Sequence, residues 1–159
     1  MPGSVSRNTE QNEEGVAFRK AADYCAAQEH CTSEVRLKLH SWGISDNLTD
    51  QIIDHLLDEG FIDELRYAKA FARGKFRNLQ WGKIKIKTEL RIKKISPAYI
   101  SSALSEIEPE EYSSCLKELL KKKVHSLGGI NRENNYKAIR FALGKGFEAD
   151  LVQTVLRED

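Results

Sequence analysis

The strongest constraint on this chain is an internal repeat. The stretches "LHSWGISDNLTDQIIDHL" from Leu39, "LRIKKISPAYISSALSEI" from Leu90 and "ALGKGFEADLVQTVL" from Ala142 align without a gap inside the block, at periods of 51 and 52 residues. Gly43, Lys94 and Gly146 coincide, and so do Ile44, Ile95 and Phe147. Apolar residues follow at fixed steps: Leu48/Tyr99/Leu151, Ile52/Ala103/Val155 and Ile53/Leu104/Leu156. A row such as Ile44/Leu48/Ile52 recurs every fourth residue, so each copy closes with an amphipathic helix. A repeat of this length cannot bury its own apolar face fully and must pack on its neighbours.

The punctuation agrees. Ser45 and Ser96 can accept backbone N–H bonds at a helix start. Pro97 then falls at the first helical position, where its missing N–H costs nothing. Gly43 and Gly146 suit a left-handed turn that closes the preceding helix. Lys94 occupies the same place, so it either takes that geometry at a cost or the second turn is built differently. Working back from each block predicts two further helices per copy, over about 16–30 and 33–42, 64–77 and 83–94, 110–127 and 132–144. Asp63 can cap the first helix of the second copy, Pro109 opens that of the third, and Gly128-Gly129 breaks the chain before its second.

The predicted fold is therefore all-α, with three tandem three-helix repeats forming an elongated, curved body. Repeat 1 covers residues 16–62, repeat 2 covers 63–108 and repeat 3 covers 109–159. Residues 1–15, "MPGSVSRNTEQNEEG", carry almost no apolar side chains and are expected to be a disordered tail. One segment resists this scheme. "WGKIKIKTELRIKKIS" (Trp81–Ser96) alternates Lys with Ile, which by itself favours a strand. The repeat decides for a helix, since Ile86 and Leu90 align with Val35 and Leu39. Ile84 and Ile92 then fall away from the apolar side.

Charge is unevenly spread. Net charge is only +1, yet residues 1–65 carry 5 Lys/Arg against 13 Asp/Glu. Residues 66–94 carry 11 Lys/Arg against the single acid Glu89, and residues 95–159 carry 9 against 10. Lys69, Arg73 and Arg77 form one helical row; Lys83, Lys87, Arg91 and Lys94 form another. Lys75, Lys85 and Lys93 widen the field, and Arg66 lies near it. Such concentration points to an anionic partner. Phe76 and Trp81, between the rows, could stack on bases, although core or loop packing is the better reading of each.

Catalysis finds no support. His30, His40, His55 and His125 show no metal spacing, and neither metal nor cofactor is expected. Cys25, Cys31 and Cys115 match no ligand pattern and fit reduced thiols of a cytosolic protein. Gly128-Gly129 and Gly144-x-Gly146 lack the context of a phosphate loop. No apolar run reaches membrane length, and with no apolar run in residues 1–15 a cleaved leader is not expected.

The motifs, in their order, resemble the RecX family. "TSEVRLKLHSWGI", "LLDEGFIDELRYAKAFARGKF" and "GKIKIKTELRIKKIS" carry the likeness. Gly60, Phe61, Ile62 and Asp63 stand where that family has Gly-Leu-(Leu/Ile)-Asp, followed by Arg66-Tyr67-Ala68 for its Arg-Phe-Ala. Gly82, Ile86, Leu90, Lys93 and Ile95 match its later segment, with Lys94 replacing a glycine. The likeness covers roughly residues 20–156. It implies a bacterial, cytoplasmic regulator of the RecA recombinase with three three-helix units. Such a protein lodges on the RecA–single-stranded DNA filament and inhibits strand exchange, ATP hydrolysis and co-protease activity; some members also touch DNA. A monomer is expected, with Lys69, Arg73, Lys75, Arg77, Lys83, Lys85, Lys87, Arg91, Lys93 and Lys94 as the partner-binding residues. Two readings compete: a stand-alone helix-turn-helix-like nucleic-acid-binding regulator, and a helical scaffold for another acidic protein. The first needs base-reading side chains on the third helices, which offer mainly Asp, Ser and Glu instead.

Overall fold

The computed structural model describes residues 2–158. Among the described residues there are nine helices and no strand. Repeat 1 contains α1 (Pro2–Ala27), α2 (Thr32–Ser41) and α3 (Asp46–Asp58). Repeat 2 contains α4 (Glu64–Leu79), α5 (Lys83–Ile92) and α6 (Pro97–Ser105). Repeat 3 contains α7 (Pro109–Ser126), α8 (Arg132–Gly144) and α9 (Ala149–Glu158). The three-helix unit thus occurs three times in tandem.

One expectation is corrected at the N-terminus. The backbone is helical from Pro2, not irregular to residue 15; Met1 lies outside the described residues. Ala17, Ala21 and Cys25 anchor the later part of α1 in a core. No Gly or Pro interrupts Ser4–Glu14. Once the packed turns exist, each added residue gains a backbone hydrogen bond without a new nucleation cost. A shortage of apolar side chains does not by itself forbid helix.

The turn between second and third helices is built identically in all three repeats. Ile44 N donates to Leu39 O and Gly43 N to His40 O; Ile95 N donates to Leu90 O and Lys94 N to Arg91 O; Phe147 N donates to Ala142 O and Gly146 N to Leu143 O. This pair of bonds is the Schellman closure, which needs a left-handed residue at its centre. Gly43, Lys94 and Gly146 supply it with φ of 78°, 64° and 100°. Lys94 therefore takes the costly geometry. The next helices are capped by Ser45, which accepts from Leu48 N, and by Ser96, which accepts from Tyr99 N. Asp63 accepts from Arg66 N at the start of α4.

The chain divides into two compact parts, one up to Tyr67 and one from Ala68. The first has its own core, with Val35, Leu39, Ile52 and Leu56 fully buried between α1, α2 and α3. The second holds most of repeat 2 together with repeat 3. Ile86 and Leu90 of α5 are fully buried there, as are Ala138 and Ala142 at the matching places of α8. The alternating segment is thus a helix whose inward side is Ile86 and Leu90.

Candidate functional site

The cationic helices α4 and α5 are set by different means. The core positions of α4 in the second part, Ala68, Ala72 and Phe76, recur at every fourth residue and turn one side inward. This leaves Lys69, Arg73 and Arg77 as a row beside them. Countercharges reach that row from elsewhere. Lys69 Nζ lies 3.0 Å from Glu106 Oε1, just after α6, and Arg77 Nε lies 3.7 Å from Glu111 Oε1 on α7. Together with Arg73 these groups line a shallow cleft over Phe76. The expectation that Glu89 alone opposes the rows is corrected: two acids distant in sequence fold back onto α4. Among the described residues, Arg73 has no ion-pair partner.

The proposed stacking aromatics are occupied. Phe76 is buried and packs against Tyr112, with ring centroids 5.7 Å apart. Trp81 is half-buried, its ring centroid 5.0 Å from Lys75 Nζ, 4.5 Å from Lys85 Nζ and 6.3 Å from the centroid of Phe71, which meets it edge-on. Cation–π attraction holds both ammonium groups against this ring. A base could stack there only by displacing them.

The start of α5 is fixed by repeat 3. Gly82 N donates to Lys145 O at 2.8 Å, Ile84 N to Gly146 O at 3.0 Å, and Lys83 N to the Tyr112 hydroxyl at 2.9 Å. Three N–H groups at or beside the helix start, which α5 itself cannot satisfy, thereby find acceptors. The approach is so close that a Cβ on Gly82 would sit 2.2 Å from the Gly146 carbonyl carbon. Tyr112 in turn donates to the Glu148 carboxylate. Burial, and then this bond to Glu148, push the Tyr112 hydroxyl well above its ordinary pKa, so it stays protonated and keeps donating. Lys145 also reaches back, its Nζ donating to Leu79 O at 2.6 Å. Tyr112, Lys145 and Glu148 escaped the sequence reading because no local pattern marks a residue that braces a helix far away in the chain.

Along α5 the second cationic row is open from Lys87 onward. The Lys83 ammonium lies 5.0 Å from the Tyr112 ring centroid. Lys87 and Arg91 are exposed, and among the described residues neither has an ion-pair partner. Lys94 is exposed on the following turn, and Lys93 is half-buried beside it. The ten predicted residues thus fall into three groups: the α4 row, where Lys69 and Arg77 meet acids and Arg73 does not; Lys75 and Lys85 against Trp81; and the α5 row with the turn after it, of which Lys87, Arg91 and Lys94 are exposed.

Burial is the first cause that raises each cysteine thiol above its ordinary value, Cys25 to about 11. Cys31 starts α2, where its N–H donates to Glu34 Oε1 at 3.2 Å and its sulfur meets Ser33 Oγ at 3.2 Å. His30 stacks on Tyr24 with centroids 3.8 Å apart and points Nδ1 at Glu34 Oε1 from 3.5 Å. Among the described residues, no helix is long and apolar enough to cross a membrane.

Three family models match the chain in tandem: "RecX, first three-helix domain" over residues 17–56, the second over 63–104 and the third over 110–156. Proteins named "Regulatory protein RecX" align along most of the chain. That of Pseudomonas putida is 30% identical over 142 residues, covering 89% of this chain and 90% of its own. That of Prosthecochloris aestuarii is 28% identical, covering 89% and 92%. Among solved structures, one described as regulatory protein RecX superposes with a TM-score of 0.90 at 21% identity, over 99% of this chain and 78% of its own. RecX from Lactobacillus salivarius gives 0.83 at 24% identity, over 93% and 97%. The three repeats seen in the helices are the three domains of that family in their proper order, and the chain belongs to the RecX family.

Proposed function

We propose that this protein is a regulator that binds the RecA–single-stranded DNA filament and restrains its recombinase, ATPase and co-protease activities. The observation that carries this reading is the alignment of proteins named regulatory protein RecX along nearly nine-tenths of the chain. The cationic surface of repeat 2 fits the role: a nucleoprotein filament presents phosphates and protein carboxylates, and exposed Lys/Arg rows are drawn to either. Lys69, Arg73, Lys75, Arg77, Lys83, Lys85, Lys87, Arg91, Lys93 and Lys94 supply this attraction, with the largest share from the open row on α5. The protein acts in the cytoplasm as a monomer and performs no chemistry of its own.

The test is RecA ATP hydrolysis on single-stranded DNA with this protein added below the RecA concentration. Hydrolysis should fall in a dose-dependent way. An unchanged rate at every dose would refute the reading. Contact with the DNA backbone has a separate signature. Binding to bare single strands should weaken with salt at a log–log slope of about −0.7 per phosphate contact.

A further inference from the structure

The outward side of α5 has a chemistry that a row of cations does not describe. Ile86 and Leu90 point into the core, so Ile84, Thr88 and Ile92, each four residues apart, form the opposite ridge. Ile84 is 52% exposed and Ile92 is 67% exposed. At 1.5 Å per residue the ridge is about 12 Å long. Lys87 and Arg91 run along one side of it, and Lys85 lies on the other.

Repeat 1 shows what this frame looks like when it is satisfied from within. Lys87 and Arg91 correspond, at the period of 51, to Arg36 and His40 of α2. There Arg36 Nη1 lies 2.7 Å from Asp50 Oδ1, and His40 Nε2 lies 2.8 Å from Asp46 Oδ1. Both acids come from α3 of the same repeat. Their counterparts in repeat 2 are Ser101 and Pro97, which carry no charge. The outward ridge differs too: Ser33, Leu37 and Ser41 in repeat 1 become Ile84, Thr88 and Ile92. Repeat 2 therefore places Lys87 and Arg91 at these positions, lacks the two carboxylates, and replaces the two serines that flank the ridge with isoleucine.

We infer that the outward face of α5 docks on protein, at a surface where carboxylates border a small apolar patch. The partner's carboxylates take the places that Asp50 and Asp46 fill in repeat 1, and its apolar patch covers Ile84 and Ile92. A phosphate backbone could answer Lys87 and Arg91 but offers nothing apolar to cover two aliphatic side chains. This inference rests on the proposed function, within which it assigns α5 to the protein component of the filament.

Two variants test it, each on exposed positions that leave the core intact. Ile84→Ser/Ile92→Ser removes the apolar ridge and keeps every charge. Ser101→Asp restores the acid of repeat 1 and pairs Lys87 internally. Binding would be measured by anisotropy on RecA filaments assembled with a non-hydrolysable ATP analogue, and on the bare single strand. Both variants should bind filament about tenfold or more weakly, and the isoleucine variant should bind bare DNA as the parent does. Full filament affinity of the isoleucine variant would overturn the inference, as would an equal loss on bare DNA. Failure of the parent protein itself to bind filament would instead overturn the proposed function.

Discussion

Lys94 holds φ at 64° in a turn where its two sister positions are glycine. The left-handed region costs a residue with a Cβ about 1–2 kcal/mol. Lys94→Gly should accordingly raise stability by about 1 kcal/mol in a denaturant titration. Two other glycines should respond in opposite senses. Gly74 lies inside α4 with only the Asn78 amide near, 4.0 Å from an added Cβ, so Gly74→Ala should stabilise by about 1 kcal/mol. Gly82→Ala should destabilise by about 2–3 kcal/mol, because its Cβ would strike the Gly146 backbone. The aligned glycines marked the turn at Lys94 but left its geometry open, since a residue with a Cβ could take the left-handed form or force another turn. The Gly82–Gly146 contact could not, because the partners are far apart in sequence and each resembles an ordinary loop residue. Cys25 adds a pH dependence. Its folded pKa, about 11, lies above the ordinary value of 9.0. The folded state thus holds the proton longer, and that part of stability is complete below pH 9 and lost as pH rises toward 11. Cys25→Ala should remove this share of the alkaline loss, measured as melting temperature against pH.

At the scale of elements, the repeat outweighed local pattern wherever the two conflicted. The alternation of Lys and Ile suggested a strand, and α5 is nonetheless a helix with Ile86 and Leu90 inward. The two isoleucines left over were no error of pattern; they form the ridge on the exposed side. Caps were equally legible, since Ser45 and Ser96 needed only their own next turn to act. Ser96→Ala should cost about 1 kcal/mol, seen as a lower denaturation midpoint with an unchanged slope. Countercharges were not legible. Glu106 and Glu111 meet α4 only because α6 ends, and α7 begins, beside it. A charge count along the sequence cannot distinguish a cation answered by a distant acid from one left open.

For the whole molecule, the structural division follows packing more than the repeat boundaries. Repeat 1 has a core of its own, whereas repeat 3 supplies the acceptors that hold the start of α5. Gly82→Ala should therefore lower hydrogen-exchange protection from Ala68 onward and leave that of α2 and α3 unchanged. The three-unit plan was visible in the sequence because it is written in repeated core positions. The bracing of repeat 2 by repeat 3 was not, because Tyr112, Lys145 and Glu148 belong to no repeated pattern. The proposed restraint of RecA would act through the open row on α5. Its most direct test is the dose–response of RecA ATPase inhibition for the parent and for Lys87→Glu/Arg91→Glu, at one fixed salt concentration. Equal melting temperatures and at least a tenfold higher dose for the variant are expected; superimposable curves would exclude this row as the contact.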